Sequence, residues 1–396
     1  MKAFKKITRL LLTLSLLAQL LLIPSFAADA PVYLALGDSI STGYGLSATD
    51  PSFVAQLADC YPDFTLVNKA TNGNTLSDVY SQIKNGALDN EITNAKLITL
   101  TCGGNDLIGT LYQNVAEAYN AKNPSKPITG NDVIEIMAGI QTDTKYYPTK
   151  TTLYGHAMTA IKGFAGTLET PDAPATPGTD AFEKSLADYK VSLRQVMDYV
   201  HSKNKDVEIV ITTQYNPYIV FQDSRAYGRI YSEVEVGVQK LNAVIEEQAA
   251  VLDYTVSDVY EAFKNSQENL SNAQIIQDDF PNIDFHPNAS GHTVIKDTIL
   301  ALNLVPSFGI HEAKSSLPNG TVAVSLTAVD SPVNVIAAFY NSENRMLGTD
   351  MVTLSESNLQ TTLSAKFTGT ASRVQVFLLS NTTFAPLHQA LNWSGN

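Results

Sequence analysis

Four short blocks of the chain carry side chains that can move an acyl group. They are Gly37-Asp38-Ser39, Asn68 to Thr75 (NKATNGNT), Gly103 to Asp106 (GGND) and Asp284 to His292 (DFHPNASGH). Ser39 supplies a hydroxyl nucleophile. His286 supplies a base that takes the hydroxyl proton near neutral pH. The backbone N–H groups of Ser39 and Gly73, with the side-chain amide of Asn105, can point at a developing oxyanion. Gly73 has no Cβ, which allows close approach of the backbone. Pro287 biases His286 towards an extended conformation. Residues i and i+2 of an extended stretch point the same way, so Asp284 lies on the imidazole side and can hold the tautomer.

These blocks need elements that bring them to one place. Pro31 to Leu36 reads as a buried strand ending at Gly37, although an ordinary loop after a strand looks the same in one block alone. Further strands are expected at Phe64 to Val67, Lys96 to Thr101, Val207 to Thr212 and Tyr254 to Val259. Helices are expected at Ser52 to Asp59, Phe182 to Val200, Ile230 to Leu252 and Gly291 to Leu302. In the second of these, Phe182, Leu186, Tyr189, Leu193, Val196, Met197 and Val200 share one face. Apolar strands alternating with helices imply an α/β fold, with a parallel sheet covered on both faces. The C-terminal ends of parallel strands share one edge, where sites form. The blocks follow strands one, two and three and precede the last helix.

The blocks, in this order and at these positions, resemble those of the SGNH hydrolases, also called GDSL esterases and lipases. The resemblance spans about residues 31–303, with a gap at an insertion. It implies a three-layer, flavodoxin-like α/β/α fold, Ser39 as nucleophile, His286 as base, Gly73 and Asn105 as oxyanion donors, and no metal or other cofactor. Many members place the triad acid three residues before the histidine. Here that position is Ile283, and the aspartate is Asp284. Asp284 as the third member and a Ser–His pair with a main-chain acceptor both stay open. An α/β-hydrolase elbow, Gly-x-Ser-x-Gly, would need glycine where Ser41 stands.

Other polar residues have plainer readings. Asp38 and Asp106 belong to turns and their hydrogen-bond networks. His292, six residues after His286, is a packed structural histidine. His156 is a surface residue rather than part of a site mouth, and Asp258 is a structural carboxylate.

Residues 107–181 interrupt the alternation with a polar, partly helical insertion ending in the Pro-rich TPDAPATPGTD. Its place after a strand makes it either a lid or mouth over the site or a structural excursion. From about Val305 the runs TVAVSLTAV, VNVIAAFY, TTLSAKF and RVQVFLL, separated by turns, predict a C-terminal all-β sandwich. The expected layout is a hydrolase domain over 28–306 and a sandwich over 307–396.

Residues 1–27 read as a secretory signal. Lys2, Lys5, Lys6 and Arg9 precede the apolar stretch Leu10 to Ile23 and the small-x-small site Ser25-Phe26-Ala27. Cleavage after Ala30 and a retained anchor are the alternatives, although the stretch is shorter than the ~20 residues a span needs. The expected location is extracellular or at the cell surface. Loss of those four basic residues takes the formal charge from −13 to −17. Without a basic patch, nucleic acid is excluded as a partner. The partner is an ester substrate, either a lipid or an acylated carbohydrate. The sandwich suits contact with carbohydrate or cell wall. A rival of another class is a surface-binding protein whose hydrolase domain is idle, but no site residue is missing. Export permits a disulfide between Cys60 and Cys102. The topology opposes it, because one lies near each end of the strands.

Overall fold

The computed structural model describes residues 31–61, 64–138, 143, 145–277, 280–302, 304, 308–326, 331–355, 359–387 and 390–394. The leader and the boundary expected at 306/307 lie outside the described residues.

The first strand, β1 (Val32–Gly37), is buried along its whole length. Its run VYLALG is apolar on both faces, as a strand covered by helices on two sides must be. A one-turn helix α1 (Ser39–Thr42), then α2 (Phe53–Asp59) and β2 (Thr65–Asn68), follow. Two further short helices, α3 (Leu76–Ile83), whose Leu76, Val79 and Ile83 are buried at helical spacing, and α4 (Asp89–Asn94), lead to β3 (Ala95–Thr101). After an insertion, α8 (Asp180–Lys203), β4 (Glu208–Thr212), α9 (Gly228–Leu252), β5 (Thr255–Ser257), α10 (Val259–Lys264) and α11 (Ala289–Leu300) complete the layer structure.

Among the described residues the five strands form one parallel sheet in the order β2-β1-β3-β4-β5. This is the flavodoxin-like order, whose connections reverse direction between β1 and β3. One sheet face packs Leu34, Leu36, Ile98, Leu100, Ile209 and Ile211 against α3, α8 and α9. The other packs Tyr33, Ala35, Leu97 and Val210 against α2, α10 and α11. The layers are therefore α/β/α.

Helix starts are set by side chains that satisfy the first free N–H groups. Thr75 and Asp78 form a reciprocal capping box at α3. Thr179 accepts from Phe182 at α8, and Asn288 from Gly291 at α11. The fifth strand is shorter than the expected Tyr254 to Val259, for the same reason. Asp258 accepts the N–H of Glu261 at 3.0 Å, so Val259 begins a helix instead of extending the strand.

The insertion also departs from expectation. Its helices agree with the partly helical stretch expected, but the first of them begins before residue 107. A 19-residue helix, α5 (Gly104–Lys122), starts inside the GGND block, and α6 (Gly130–Ala138) and α7 (Lys150–Ala160) follow. These helices share a small core of their own, with Val115, Tyr119, Ile128, Val133, Ile136 and Leu153 buried together. The Pro-rich stretch then folds back on itself, with Thr167 and Thr176 paired in an antiparallel bridge.

C-terminal to these layers the strands are antiparallel. One sheet has the order β10-β7-β6, built from β6 (Phe308–Ser316), β7 (Thr321–Leu326) and β10 (Leu359–Ser364). The other has the order β12-β11-β8-β9, built from β8 (Val333–Tyr340), β9 (Met346–Leu354), β11 (Arg373–Ser380) and β12 (Leu391–Ser394). Alternate residues Val322, Val324 and Leu326 of one sheet share a core with Val335, Ala337, Phe339, Val374 and Val376 of the other.

Both cysteines are free thiols. Cys60 caps the end of α2, just before β2 pairs Thr65 with Val32 at the start of β1. Cys102 follows Thr101, which pairs with Gly37 at the other end of β1. A strand of this length spans ~17–20 Å, whereas a disulfide needs Cα atoms within ~7 Å. Burial raises both thiol pKa values, that of Cys102 most. Titration in denaturant without reductant should find two thiols per chain. In the native protein the buried Cys102 should react far more slowly than Cys60. A denatured chain with no reactive thiol would contradict the placement of these two residues.

Candidate active site

The turn that presents Ser39 is dictated by Gly37. Its φ is +125°, and a Cβ there would lie 2.2 Å from the carbonyl oxygen of Thr101 on β3. No other residue fits between the two strand ends. Asp38 then caps α1. Its Oδ1 accepts from the N–H of Ile40 at 3.0 Å and from the hydroxyl of Thr101 at 2.9 Å, and its own N–H donates to Thr101 O at 3.1 Å. Ser39 is thereby the first residue of a one-turn helix, and its side chain is buried. Burial pushes the Asp38 carboxyl up to about 6, against the lowering effect of those bonds.

His286 arrives from the segment before α11. Its Nε2 lies 3.0 Å from Ser39 Oγ, and its Nδ1 lies 2.5 Å from Asp284 Oδ1. With Nδ1–H donating to the carboxylate, Nε2 is the acceptor for the Ser39 hydroxyl. Asp284 also accepts from the His286 backbone N–H at 3.1 Å and from Asn272 Nδ2 at 3.3 Å. Burial alone would raise its pKa, but the bonds from His286 outweigh it and hold the carboxyl below its usual range. Asp284, two residues before the base, is thus the group on Nδ1. Ile283 instead turns into an apolar cluster with Phe221 and Ile230.

Three groups with no motif of their own fix this segment. Tyr215 and Tyr218 donate their hydroxyls to the carbonyls of Phe285 at 2.8 Å and Ile283 at 3.1 Å. The Asn272 N–H donates to His286 O at 2.9 Å. Tyr44 and Phe285 place rings 4.7 and 4.4 Å from the imidazole centroid. Of these, Phe285 lies within the fourth block and Tyr44 beside the first. The others come from loops without spacing or composition signals.

The second block docks on the end of β1. Asn74 Nδ2 donates to Gly37 O at 3.3 Å, and Asn74 O accepts from Asn105 Nδ2 at 2.9 Å. Both oxygens of Asp106 accept from the N–H of Leu76, at 3.3 and 3.2 Å. Asn105 thus commits one amide hydrogen to the loop and keeps a second. Gly73 stands beside Asn74, with φ +82° and open space where a side chain would be. Burial pushes Asp106 up to about 7.

The remaining polar residues lie apart from this constellation. His292 is fully buried, accepts from the Phe53 N–H at 3.2 Å and stacks on the Phe53 ring. Burial pushes its pKa down to about 4. His156 packs its ring edge-on against Tyr119. Among the described residues, no group of three or more His, Cys, Asp or Glu side chains is placed to hold a metal ion.

A cavity of about 180 Å³ opens beside Ser39 and Asn105. Its wall is mostly apolar. Leu111 of α5, Leu153 and Met158 of α7, Phe182 of α8 and Val238 of α9 line it. The insertion therefore forms much of the wall.

A model of the GDSL-like lipase/acylhydrolase family matches residues 35–294. Comparison with curated proteins gave no match. Similar solved structures include an extracellular lipase from Streptomyces rimosus, at 18% identity over 68% of this chain and 98% of that one, with a TM-score of 0.44. A phospholipase A1 from Streptomyces albidoflavus gives 18% identity, 68% and 98% coverage and a TM-score of 0.42. A lipase from a goat rumen metagenome gives 17% identity, 68% and 96% coverage and a TM-score of 0.40.

The raised Asp106 carboxyl fixes the sign of a pH effect. In an unfolded chain it ionises at roughly 3.9, so the folded state binds its proton more tightly. Its contribution to stability is complete below that value and is lost as pH rises through about 7. Asp106→Asn keeps an acceptor for the Leu76 N–H and removes the ionisation. Its Tm relative to wild type should therefore climb between pH 5 and pH 8 in scanning calorimetry. Parallel Tm profiles for the two proteins would sink this account of Asp106.

Proposed function

The chain belongs to the GDSL-like lipase/acylhydrolase family and is an ester-bond hydrolase, and we propose that it is a secreted serine esterase acting on esters of apolar acyl chains. The observation that carries this reading is the hydrogen-bonded series Asp284–His286–Ser39, at 2.5 and 3.0 Å, beside an apolar cavity.

Ser39 Oγ attacks the ester carbonyl carbon while His286 Nε2 takes its proton. Asp284 holds the imidazole in the tautomer that accepts at Nε2, and stabilises the imidazolium that forms. The Ser39 and Gly73 N–H groups and the free amide hydrogen of Asn105 bind the oxyanion. Collapse of the tetrahedral species breaks the bond to the leaving oxygen, which takes the proton from His286. Water, deprotonated by His286, then attacks the acyl-enzyme. The acid leaves, and the proton returns to Ser39.

The cavity bears on the acyl group. Its volume is on the order of one that accepts a benzene ring. An acetyl group would leave most of it unfilled, which favours a lipid-like ester over an acetylated polysaccharide. The site residues and those lining the cavity all fall within 38–286, so the β-rich region supplies none of them. Export is supported by the basic start, apolar stretch and Ser25-Phe26-Ala27 site of the leader.

On p-nitrophenyl esters, Ser39→Ala and His286→Ala should each lower kcat by several orders of magnitude, with the fold intact by circular dichroism. Asn105→Ala should cost ~10²–10³ in kcat, as loss of one oxyanion donor does. Near-normal turnover by Ser39→Ala would remove the serine mechanism. A change confined to KM in Asn105→Ala would make that residue a binding group.

A further inference from the structure

Gly237 lies near the middle of the 25-residue helix α9 and is buried. Glycine is a poor choice there, because it loses more backbone freedom than alanine when a helix forms. Packing does not demand it. A Cβ at Gly237 would meet the Ala165 Cβ and Phe182 Cε2 at 3.7 Å, which is ordinary van der Waals contact. At Gly103, by contrast, a Cβ would come within 2.8 Å of Leu241. Backbone strain does not demand it either, since Gly237 is absent from the positive-φ residues. What the missing side chain does create is space. Gly237, Ala165 and Phe182 all line the cavity beside Ser39. Two of the three are the smallest residues available, and they face a phenylalanine ring held edge-on by Phe164 at 5.3 Å.

Building on the acyl transfer assigned to Ser39, we propose that Gly237, with Ala165, is a specificity-determining residue that hollows the cavity wall to admit the length of the acyl chain. Side chains added at 237 project towards Ala165 and Phe182 and shorten the space, and the carbonyl end of the substrate at Ser39 keeps its contacts. The loss should therefore grow with chain length. One methylene group too many in an apolar pocket is worth ~10–200-fold in kcat/KM.

The test is a series of p-nitrophenyl esters from acetate to dodecanoate with wild type, Gly237→Ala and Gly237→Leu. Gly237→Leu should lose ~10–200-fold in kcat/KM on decanoate, with a progressively smaller loss on shorter chains. Gly237→Ala should fall between it and wild type, and its Tm should rise by about 1–3 °C because alanine is the better helix former. An equal loss at every chain length would overturn the assignment, as would a Gly237→Ala protein of lowered Tm. Binding gives a readout apart from catalysis. In the Ser39→Ala background, calorimetric titration with decanoate should show an affinity that Gly237→Leu weakens at least ~10-fold. Equal decanoate affinity with and without the leucine, or no decanoate binding at all, would overturn the role of Gly237. Ester hydrolysis that survives Ser39→Ala would instead overturn the serine mechanism and leave the binding result to stand.

Discussion

The hydroxyl of Thr101 is the point on which the site depends. It donates to Asp38 Oδ1 at 2.9 Å and lies 2.8 Å from the Ser41 hydroxyl, while its carbonyl accepts the Asp38 N–H. Thr101 ends β3 and Asp38 follows β1, and these are the neighbouring strands between which the sheet reverses its winding direction. A glycine at 37 is what lets the two strand ends approach so closely. From that junction the one-turn helix starts, and its first residue is the serine. The second and third blocks are attached to the same junction through Asn74 and Gly37. The site is therefore a consequence of where parallel strands end, and catalytic geometry is inherited from sheet geometry.

Burying this junction has electrostatic consequences. Asp38 and Asp106 lose solvation and are pushed towards the protonated form, while His292 on the opposite layer is pushed towards the neutral form. Asp284 is also partly buried, yet it goes the other way because His286 donates to it twice. Four titratable groups of one region are thus sorted by their partners. Lack of solvent shifts Asp38 and Asp106 up to about 6 and 7 and His292 down to about 4, whereas the hydrogen bonds from His286 hold Asp284 in its ionised form. The ionised one is the carboxylate on Nδ1 of His286, where a negative charge stabilises the imidazolium.

The sequence made much of this legible. Strand and helix alternation reported the layers because buried parallel strands such as VYLALG carry apolar residues on both faces. The four blocks reported the site because turns after strands need Gly, Asp and Asn for steric and capping reasons. The insertion reads as polar because α7 intersperses its apolar residues with Thr, Gly and His. Leu153 belongs both to the insertion's own core and to the cavity wall, beside Tyr154, Ala157 and Met158. Tyr215, Tyr218 and Asn272 were invisible because each acts by a single bond to a backbone carbonyl, which leaves no spacing pattern. The fifth strand ends sooner than its composition suggests because an aspartate cap overrides the β preference of Val259.

The histidine and its carboxylate are two residues apart in one segment, whereas the histidine and the serine are 247 residues apart. The first contact is local and needs little chain closure. The second closes a loop of 247 residues, and it exists only when β1, β3 and the segment before the last helix are all in place. The Ser39–His286 contact therefore depends on long-range closure, and the Asp284–His286 contact does not. A chain that has docked only part of its sheet carries Ser39 and His286 without the hydrogen bond between them.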